Sequence, residues 1–244
     1  MKVDINCDVG EGIANEHLLM PYISSCNIAC GGHFGNQKTI DKMIALAIKN
    51  NVLIGAHPSF PDKENFGRKV LNISLNELQK SIEDQLELFM ERLSFFDVRL
   101  NHIKPHGALY NLIAVNKNYA NLVVKTIKKY SQNVFLYVPY NSVIEKIAIE
   151  NNVKIKYEAF ADRNYNSDLT LVSRTNKKAV ITNSNEVFNH ILLMIKRGKV
   201  KTIFNEEKTI KAETFCVHGD NKNAVSVLKS LSENLKKEGV YIGI

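Results

Sequence analysis

No run of about 18 or more apolar residues occurs in the 244-residue chain, so no membrane-spanning helix is expected. The longest apolar stretches are strand-sized. Asp4 stands where a signal peptide needs its apolar core, which predicts a cytoplasmic protein. Cysteine is scarce: Cys7, Cys26, Cys30 and Cys216 are all there is. Cys26-x-x-x-Cys30 has no second Cys/His pair near it, which argues against a zinc motif and for small buried hydrophobes. Neither Gly31-Gly32-His33 nor His106-Gly107-Ala108 has the spacing of a P-loop or a dinucleotide fingerprint. No low-complexity segment or long linker divides the sequence, so a single domain over residues 1–244 is expected. The net charge of +7 is not concentrated in a basic arm or a basic-aromatic stripe. It reads as solvated surface, with neither nucleic acid nor membrane as a partner.

What is present is alternation. Seven short apolar runs read as strands: Lys2–Asn6, Cys26–Cys30, Val52–Ala56, Leu100–Lys104, Val134–Val138, Ile155–Phe160 and Thr214–Val217. Between them lie stretches of helical period. The plainest carries Leu75, Leu78, Ile82, Leu86, Phe89 and Leu93, opened by the capping box Ser74-x-x-Glu77. A second follows Asn183-x-x-Glu186. The polar stretches Pro58–Ile73 and Arg163–Lys178 are too irregular for regular elements and read as site loops. Strands alternating with helices demand a parallel sheet. An open doubly wound sheet fits as well as a barrel, but polar residues at nearly every strand end favour the barrel.

Side chains alternate across a strand, so parity sorts them by face. Asp4, Asn6 and Asp8 share one face of the first strand, opposite Val3, Ile5 and Cys7. The same test groups Asn27, Ala29, Gly31 and His33; Gly55 with His57; His102, Lys104 and His106; Glu158, Phe160 and Asp162; and Cys216, His218 and Asp220. Six of the seven strands thus end on Asp, Asn, His or Lys. Burying such groups without partners costs about 1–3 kcal/mol each, so a catalytic mouth at the C-terminal end of a barrel is the better reading.

These same residues form recognisable blocks. They are Asp4-Ile5-Asn6-Cys7-Asp8-Val9-Gly10-Glu11, Asn27-Ile28-Ala29-Cys30-Gly31, Gly55-Ala56-His57-Pro58-Ser59-Phe60-Pro61-Asp62 and Phe66-Gly67-Arg68. Lys104-Pro105-His106-Gly107-Ala108-Leu109-Tyr110-Asn111, Glu158-Ala159-Phe160-Ala161-Asp162-Arg163 and Cys216-Val217-His218-Gly219-Asp220 complete the set. With these blocks the sequence resembles the 5-oxoprolinase A-subunit family, also called the LamB/YcsF lactam-utilisation family. It departs from the family pattern in Gly31-Gly32-His33-Phe34-Gly35-Asn36-Gln37, where Phe and Ala are changed around His33 and Asn36 replaces an acid, and in Leu171-Val172-Ser173-Arg174, where a proline is usual at Ser173. The first departure predicts an altered pocket wall.

The resemblance implies an irregular seven-stranded β/α barrel of the glycoside hydrolase/deacetylase type. It implies ATP-dependent conversion of 5-oxo-L-proline to L-glutamate with two allophanate-hydrolase-like partner subunits, the ATP and Mg²⁺ being handled through the complex. Asp8, His57, Lys104, His106, Asp162, Arg163 and His218 are then the candidate catalytic residues, with Lys104 and Arg163 stabilising charge. Asn6, Glu11, Asn27, Gly31, His33, Arg68, Tyr110, Glu158 and Asp220 are candidate substrate-binding residues. Loss of Lys104 or His106 is expected to abolish activity and leave the fold intact. Two alternatives stand beside this reading. A non-catalytic substrate-binding subunit is one. A metal-dependent deacetylase or amidase is the other, although the close histidine pair His102 and His106 would lie about 13 Å apart along a strand, too far to share an ion. No metal is assigned from sequence.

Overall fold

The computed structural model describes residues 1–130 and 132–244. Its strands are β1 (Lys2–Val9), β2 (Ser25–Ala29), β3 (Leu53–His57), β4 (His102–Ile103), β5 (Phe135–Pro139), β6 (Ile155–Phe160), β7 (Lys199–Lys201), β8 (Glu207–Thr209), β9 (Thr214–Cys216) and β10 (Tyr241–Ile242). Strands β1 to β6 pair in sequence order, β6 pairs with β9, and β9 returns to β1 through Asp4↔Thr214 and Asn6↔Cys216. All seven pairings are parallel, so the sheet is a closed seven-stranded barrel and the open-sheet alternative falls. The helices are α1 (Glu16–Leu19), α2 (Gln37–Lys49), α3 (Leu75–Phe95), α4 (Gly107–Val115), α5 (Lys117–Ile127), α6 (Val143–Glu150), α7 (Ser184–Arg197) and α8 (Ala224–Lys237). Among the described residues, no helix is long and apolar enough to cross a membrane.

The helices form where period and caps coincide. Ser74 and Glu77 exchange the expected capping-box bonds at the start of α3, and Leu78, Ile82, Leu86, Phe89 and Leu93 are buried. Asn183 caps α7 by accepting from the N–H groups of Asn185 and Glu186. Asn36 does the same work for α2, accepting from Thr39 N, and it is exposed. An aspartate would cap as well as asparagine. The departure at Asn36 therefore changes a helix cap and not the pocket wall.

Two strands depart from the sequence reading by more than one residue at an end, the bounds of the other five agreeing to within one. The ladder of β1 runs three residues further, to Val9, carrying Asp8 to the barrel mouth. The fourth strand narrows to His102–Ile103, although Asn101 N and Lys104 N still donate to Ile54 O and Ala56 O of β3. Helix α4, the antiparallel pair β7–β8 and the short β10 had no sequence signal. Helix α4 is nearly all apolar and opens at a glycine, and each of the three strands has three residues or fewer.

Inward-facing positions build a polar interior. Asn27 Nδ2 donates to Asn6 Oδ1 and Asp8 Oδ1, both at 2.7 Å, while His102 Nε2 lies 2.7 Å from Asn27 Oδ1. Asn6 Nδ2 continues the chain to Glu158 Oε1 and Thr214 Oγ1. A Cβ at Gly55 would collide with the His102 ring, so the glycine is what lets that ring cross the barrel. Burial holds His102 down to about 3 and His190, under the Tyr165 ring, down to about 4. Both are neutral when folded, whereas an unfolded histidine takes up a proton below roughly pH 6.5. Their contribution to stability is thus complete above that pH and lost as pH falls toward the folded values. Each is expected to add a slope of up to ~1.4 kcal/mol per pH unit between about pH 6 and 4. Urea unfolding across that range measures it, and His190→Gln should remove one histidine's share. A flat profile would contradict the neutral interior.

Candidate active site at the barrel mouth

A cavity of about 990 Å³ opens at the C-terminal ends of the strands. Asp8 from β1, His57 from β3, His106 beyond β4 and His218 beyond β9 all line it, so four different strands deliver side chains to one cleft. Both long irregular loops reach it as well, through Asn65, Arg68 and Lys69 on one side and Arg163, Tyr165 and the run from Asp168 to Thr175 on the other. At its floor is a buried ammonium. Lys104 Nζ lies 3.0 Å from Asp8 Oδ1, 2.9 Å from Glu158 Oε1 and 3.1 Å from Cys216 Sγ. Burial would lower this ammonium, but Asp8, Cys216 and Glu158 together hold it well above its ordinary value. Burial would likewise raise the Asp8 carboxyl, yet His57 and Lys104 keep it well below the usual carboxylate range. Glu158 Oε2 and the Tyr110 hydroxyl, from two residues that line the cavity, have no hydrogen-bond partner among the described residues.

Beside the ammonium stand two histidine groupings. In the first, His57 Nδ1 meets Lys104 O at 2.6 Å and His106 Nε2 meets Phe66 O at 3.0 Å. Their remaining nitrogens, His57 Nε2 and His106 Nδ1, face each other at 2.9 Å, with Asp8 and Glu11 against them. His33 stacks flat on His106 at 3.7 Å and binds Glu11 Oε1 at 2.8 Å. Burial first, and then His33 and His57, push the His106 imidazole well below its usual value. In the second grouping, His218 Nδ1 lies 2.8 Å from Asp162 Oδ1, while Asp162 Oδ2 accepts from His218 N and Asn221 Nδ2. Burial would raise the Asp162 carboxyl, but His218 and these hydrogen bonds lower it. An ionised Asp162 fixes a proton on Nδ1 and leaves Nε2 of a partly exposed ring available to the cavity.

The mouth carries a third feature. Asp220 pairs with both Arg68 and Arg174, two guanidinium groups from the two opposed loops. Arg174 was not singled out from sequence, although the block Leu171-Val172-Ser173-Arg174 contains it. Arg163 lines the cavity but commits Nε to Ala179 O and Nη2 to Val172 O, so it braces its loop. Asn6 and Asn27 lie inside the barrel below the cavity, and Gly31 sits in a turn with φ of +101° whose N–H bonds Phe34 O. None of these three, nor His33, lines the cavity. Gly107 does, and it needs its glycine: φ is +54° and a Cβ would lie 2.7 Å from Gly67 O. The cysteines are buried, and burial raises all four thiols, Cys30 to about 12, so none is a ready thiolate.

The histidine pairing changes one expectation. His102 and His106 do not meet, as the strand spacing required, yet His106 finds a different partner in His57 from the neighbouring strand. Sequence spacing held no sign of it, because the two are 49 positions apart. The resulting group of Asp8, Glu11, His57 and His106 places one ligating atom from each within 4.8 Å of all the others.

Barrel and mouth together describe a β/α-barrel protein with an acid, base and cation set at its C-terminal face. The chain belongs to the LamB/YcsF family, whose model matches residues 3–243. It is 38 % identical over 246 residues to the 5-oxoprolinase A-subunit of Alkaliphilus metalliredigens, covering 99 % of this chain and 96 % of that one. The 5-oxoprolinase A-subunit of Staphylococcus aureus strain Newman is 37 % identical over 247 residues, with 99 % of each covered. Among solved structures, the lactam utilization protein of Thermus thermophilus superposes with a TM-score of 0.93 at 31 % identity, covering 100 % of this chain and 99 % of that one. A GH113 β-1,4-mannanase, at 10 % identity and a TM-score of 0.52 over 95 % of this chain and 99 % of its own, shares the fold alone.

Proposed function

We propose that this chain is the ring-opening component of an ATP-dependent 5-oxoprolinase, converting 5-oxo-L-proline to L-glutamate together with two allophanate-hydrolase-like partners. The observation that supports it best is that the buried Lys104, braced by Asp8 and Glu158, lines one cavity with His218, whose ring is held from behind by the fully buried Asp162. A five-membered lactam is a stable amide. Transfer of the ATP γ-phosphoryl group to the lactam oxygen makes the carbon electrophilic. One water adds to that carbon and the C–N bond breaks, and a second water adds to the acyl carbon of the resulting acyl phosphate and breaks its C–O bond, releasing phosphate. The sum is one lactam, one ATP and two waters to glutamate, ADP and phosphate.

Each step asks for a group this cavity contains. His218, with Nδ1 held by Asp162, takes a proton from water and returns it to the leaving ring nitrogen. Lys104 stabilises charge on the activated oxygen. Arg68 and Arg174, shared across Asp220, suit the substrate carboxylate or the phosphoryl group. The cavity, at about 990 Å³, is larger than a bare lactam needs and has room for its phosphorylated form. ATP with Mg²⁺ enters through the partners, which meet the mouth at the two long loops and keep an activated intermediate from bulk water.

The test is reconstitution. The chain alone is expected to show negligible 5-oxoproline-dependent ATP hydrolysis. Adding both partner subunits should bring ATP turnover and glutamate formation up in step. Coupled turnover by the isolated chain would contradict the division of labour, and hydrolysis of acetylated sugars without ATP would replace the reading altogether.

A further inference from the structure

The centre formed by Asp8, Glu11, His57 and His106 has a feature that a proton-transfer role leaves unexplained. Lys104 O and Phe66 O can only accept hydrogen bonds, so the protons of the two imidazoles sit on His57 Nδ1 and His106 Nε2. The lone pairs of His57 Nε2 and His106 Nδ1 then face each other across 2.9 Å. Asp8 Oδ2 approaches His57 Nε2 at 3.5 Å, and Glu11 Oε1 stands 3.3 Å from His106 Nδ1 and 3.9 Å from His57 Nε2. With both rings neutral, four acceptors converge on one buried point with no N–H or O–H between them. Such a convergence calls for a cation at that point, a metal ion or a further proton.

We propose that these four side chains bind a single divalent first-row transition-metal ion at the floor of the cavity. The spacing fits. Ligands ~2.0–2.1 Å from a tetrahedral ion lie about 3.3 Å apart, and the separations of 2.9 to 3.9 Å bracket that value. The donor set of two imidazoles and two carboxylates suits Zn²⁺, Mn²⁺, Co²⁺ or Ni²⁺ over the all-oxygen preference of Mg²⁺ and Ca²⁺. The outer contacts also belong to a ligand shell. Both imidazoles are held from behind by backbone carbonyls, Glu11 by His33, and the second oxygen of Asp8 by Asn27 and Lys104. His33 is in turn tied to the Ser59 hydroxyl at 3.0 Å. The four ligands line the cavity, so the ion would be reached by a substrate there and could carry the attacking water. Only this last role rests on the lactam reading.

The experiment reads binding without activity. Protein is stripped with a chelator, dialysed and titrated with Co²⁺ and Zn²⁺, following heat, the visible Co²⁺ spectrum and thermal midpoint. One equivalent per chain is expected, with Co²⁺ d–d bands and an upward shift of the midpoint. His57→Ala and His106→Ala should each weaken binding at least ~100-fold, more than the loss typical of outer-shell changes. His33→Gln, which leaves the ligands in place, should weaken it ~10–100-fold. Circular dichroism of each variant checks folding, and the wild-type stoichiometry stands without any variant. Absence of stoichiometric binding, or binding unchanged in both ligand variants, overturns the metal site; the point is then held by a proton on one imidazole. An ion bound with this stoichiometry, but no glutamate formed by the reconstituted complex, would keep the site and overturn the lactam reading instead.

Discussion

Lys104→Ala is expected to lower folding stability by about 3–5 kcal/mol as well as abolish turnover, because it strands two carboxylates in the interior. Asp8 and Glu158 are both buried and both face this one ammonium at about hydrogen-bond distance. From sequence alone the same substitution is expected to abolish activity and spare the fold. The triad reverses that expectation. Removing one partner of a buried pair costs far more than replacing the whole group by neutral residues. The combined variant Asp8→Asn, Lys104→Met, Glu158→Gln should therefore recover most of the lost stability and none of the activity. Urea unfolding and reconstituted turnover, run on both variants, separate the two roles. A Lys104→Ala protein as stable as the parent would show that the triad is not the interior's main charge balance.

His218→Ala should behave in the opposite way. The ring is partly exposed, stacks on Phe160 and gives up only its bond to Asp162. Stability is expected to change by ~1–2 kcal/mol at most. Turnover should fall ~10²–10⁴-fold, the usual effect of losing a positioned proton carrier. Asp162→Asn tests the same pair from behind. It leaves the ring in place but offers an amide where a carboxylate fixed the tautomer, so kcat should fall with little change in KM. Near-normal turnover of His218→Ala in the reconstituted complex would move the proton-transfer role elsewhere.

Much of the barrel and its polar face is legible in the order of residues. Parity along the first strand puts Asp4, Asn6 and Asp8 on one face, and that face is the barrel interior. It works because a parallel barrel strand is buried on both sides, so a polar residue at alternate positions marks the inner face without ambiguity. Parity does not say which inward residues touch. His57 and His106 meet only because strands β3 and β4 are neighbours and the His106 backbone is fixed by His106 N donating to Pro58 O. Depth is equally invisible: Asn6, Asn27 and His102 share the parity of Asp8 yet lie below the cavity, holding its floor. Arg174 escapes notice because its loop has no period to read, and the opposed Arg68 that gives it meaning is 106 positions away in sequence.

The central claim is that an activated lactam is opened at this mouth, and an oxygen label follows that event directly. The reconstituted complex is given 5-oxo-L-proline carrying ¹⁸O in its ring carbonyl, together with ATP in ordinary water, and the products are weighed by mass spectrometry. Phosphorylation of the lactam oxygen followed by attack of both waters at carbon predicts one ¹⁸O in the released phosphate for each glutamate formed. Omission of this chain should stop glutamate formation. Glutamate that retains the label in its side-chain carboxylate, with unlabelled phosphate, would contradict this mechanism, and unchanged glutamate formation without this chain would contradict its role.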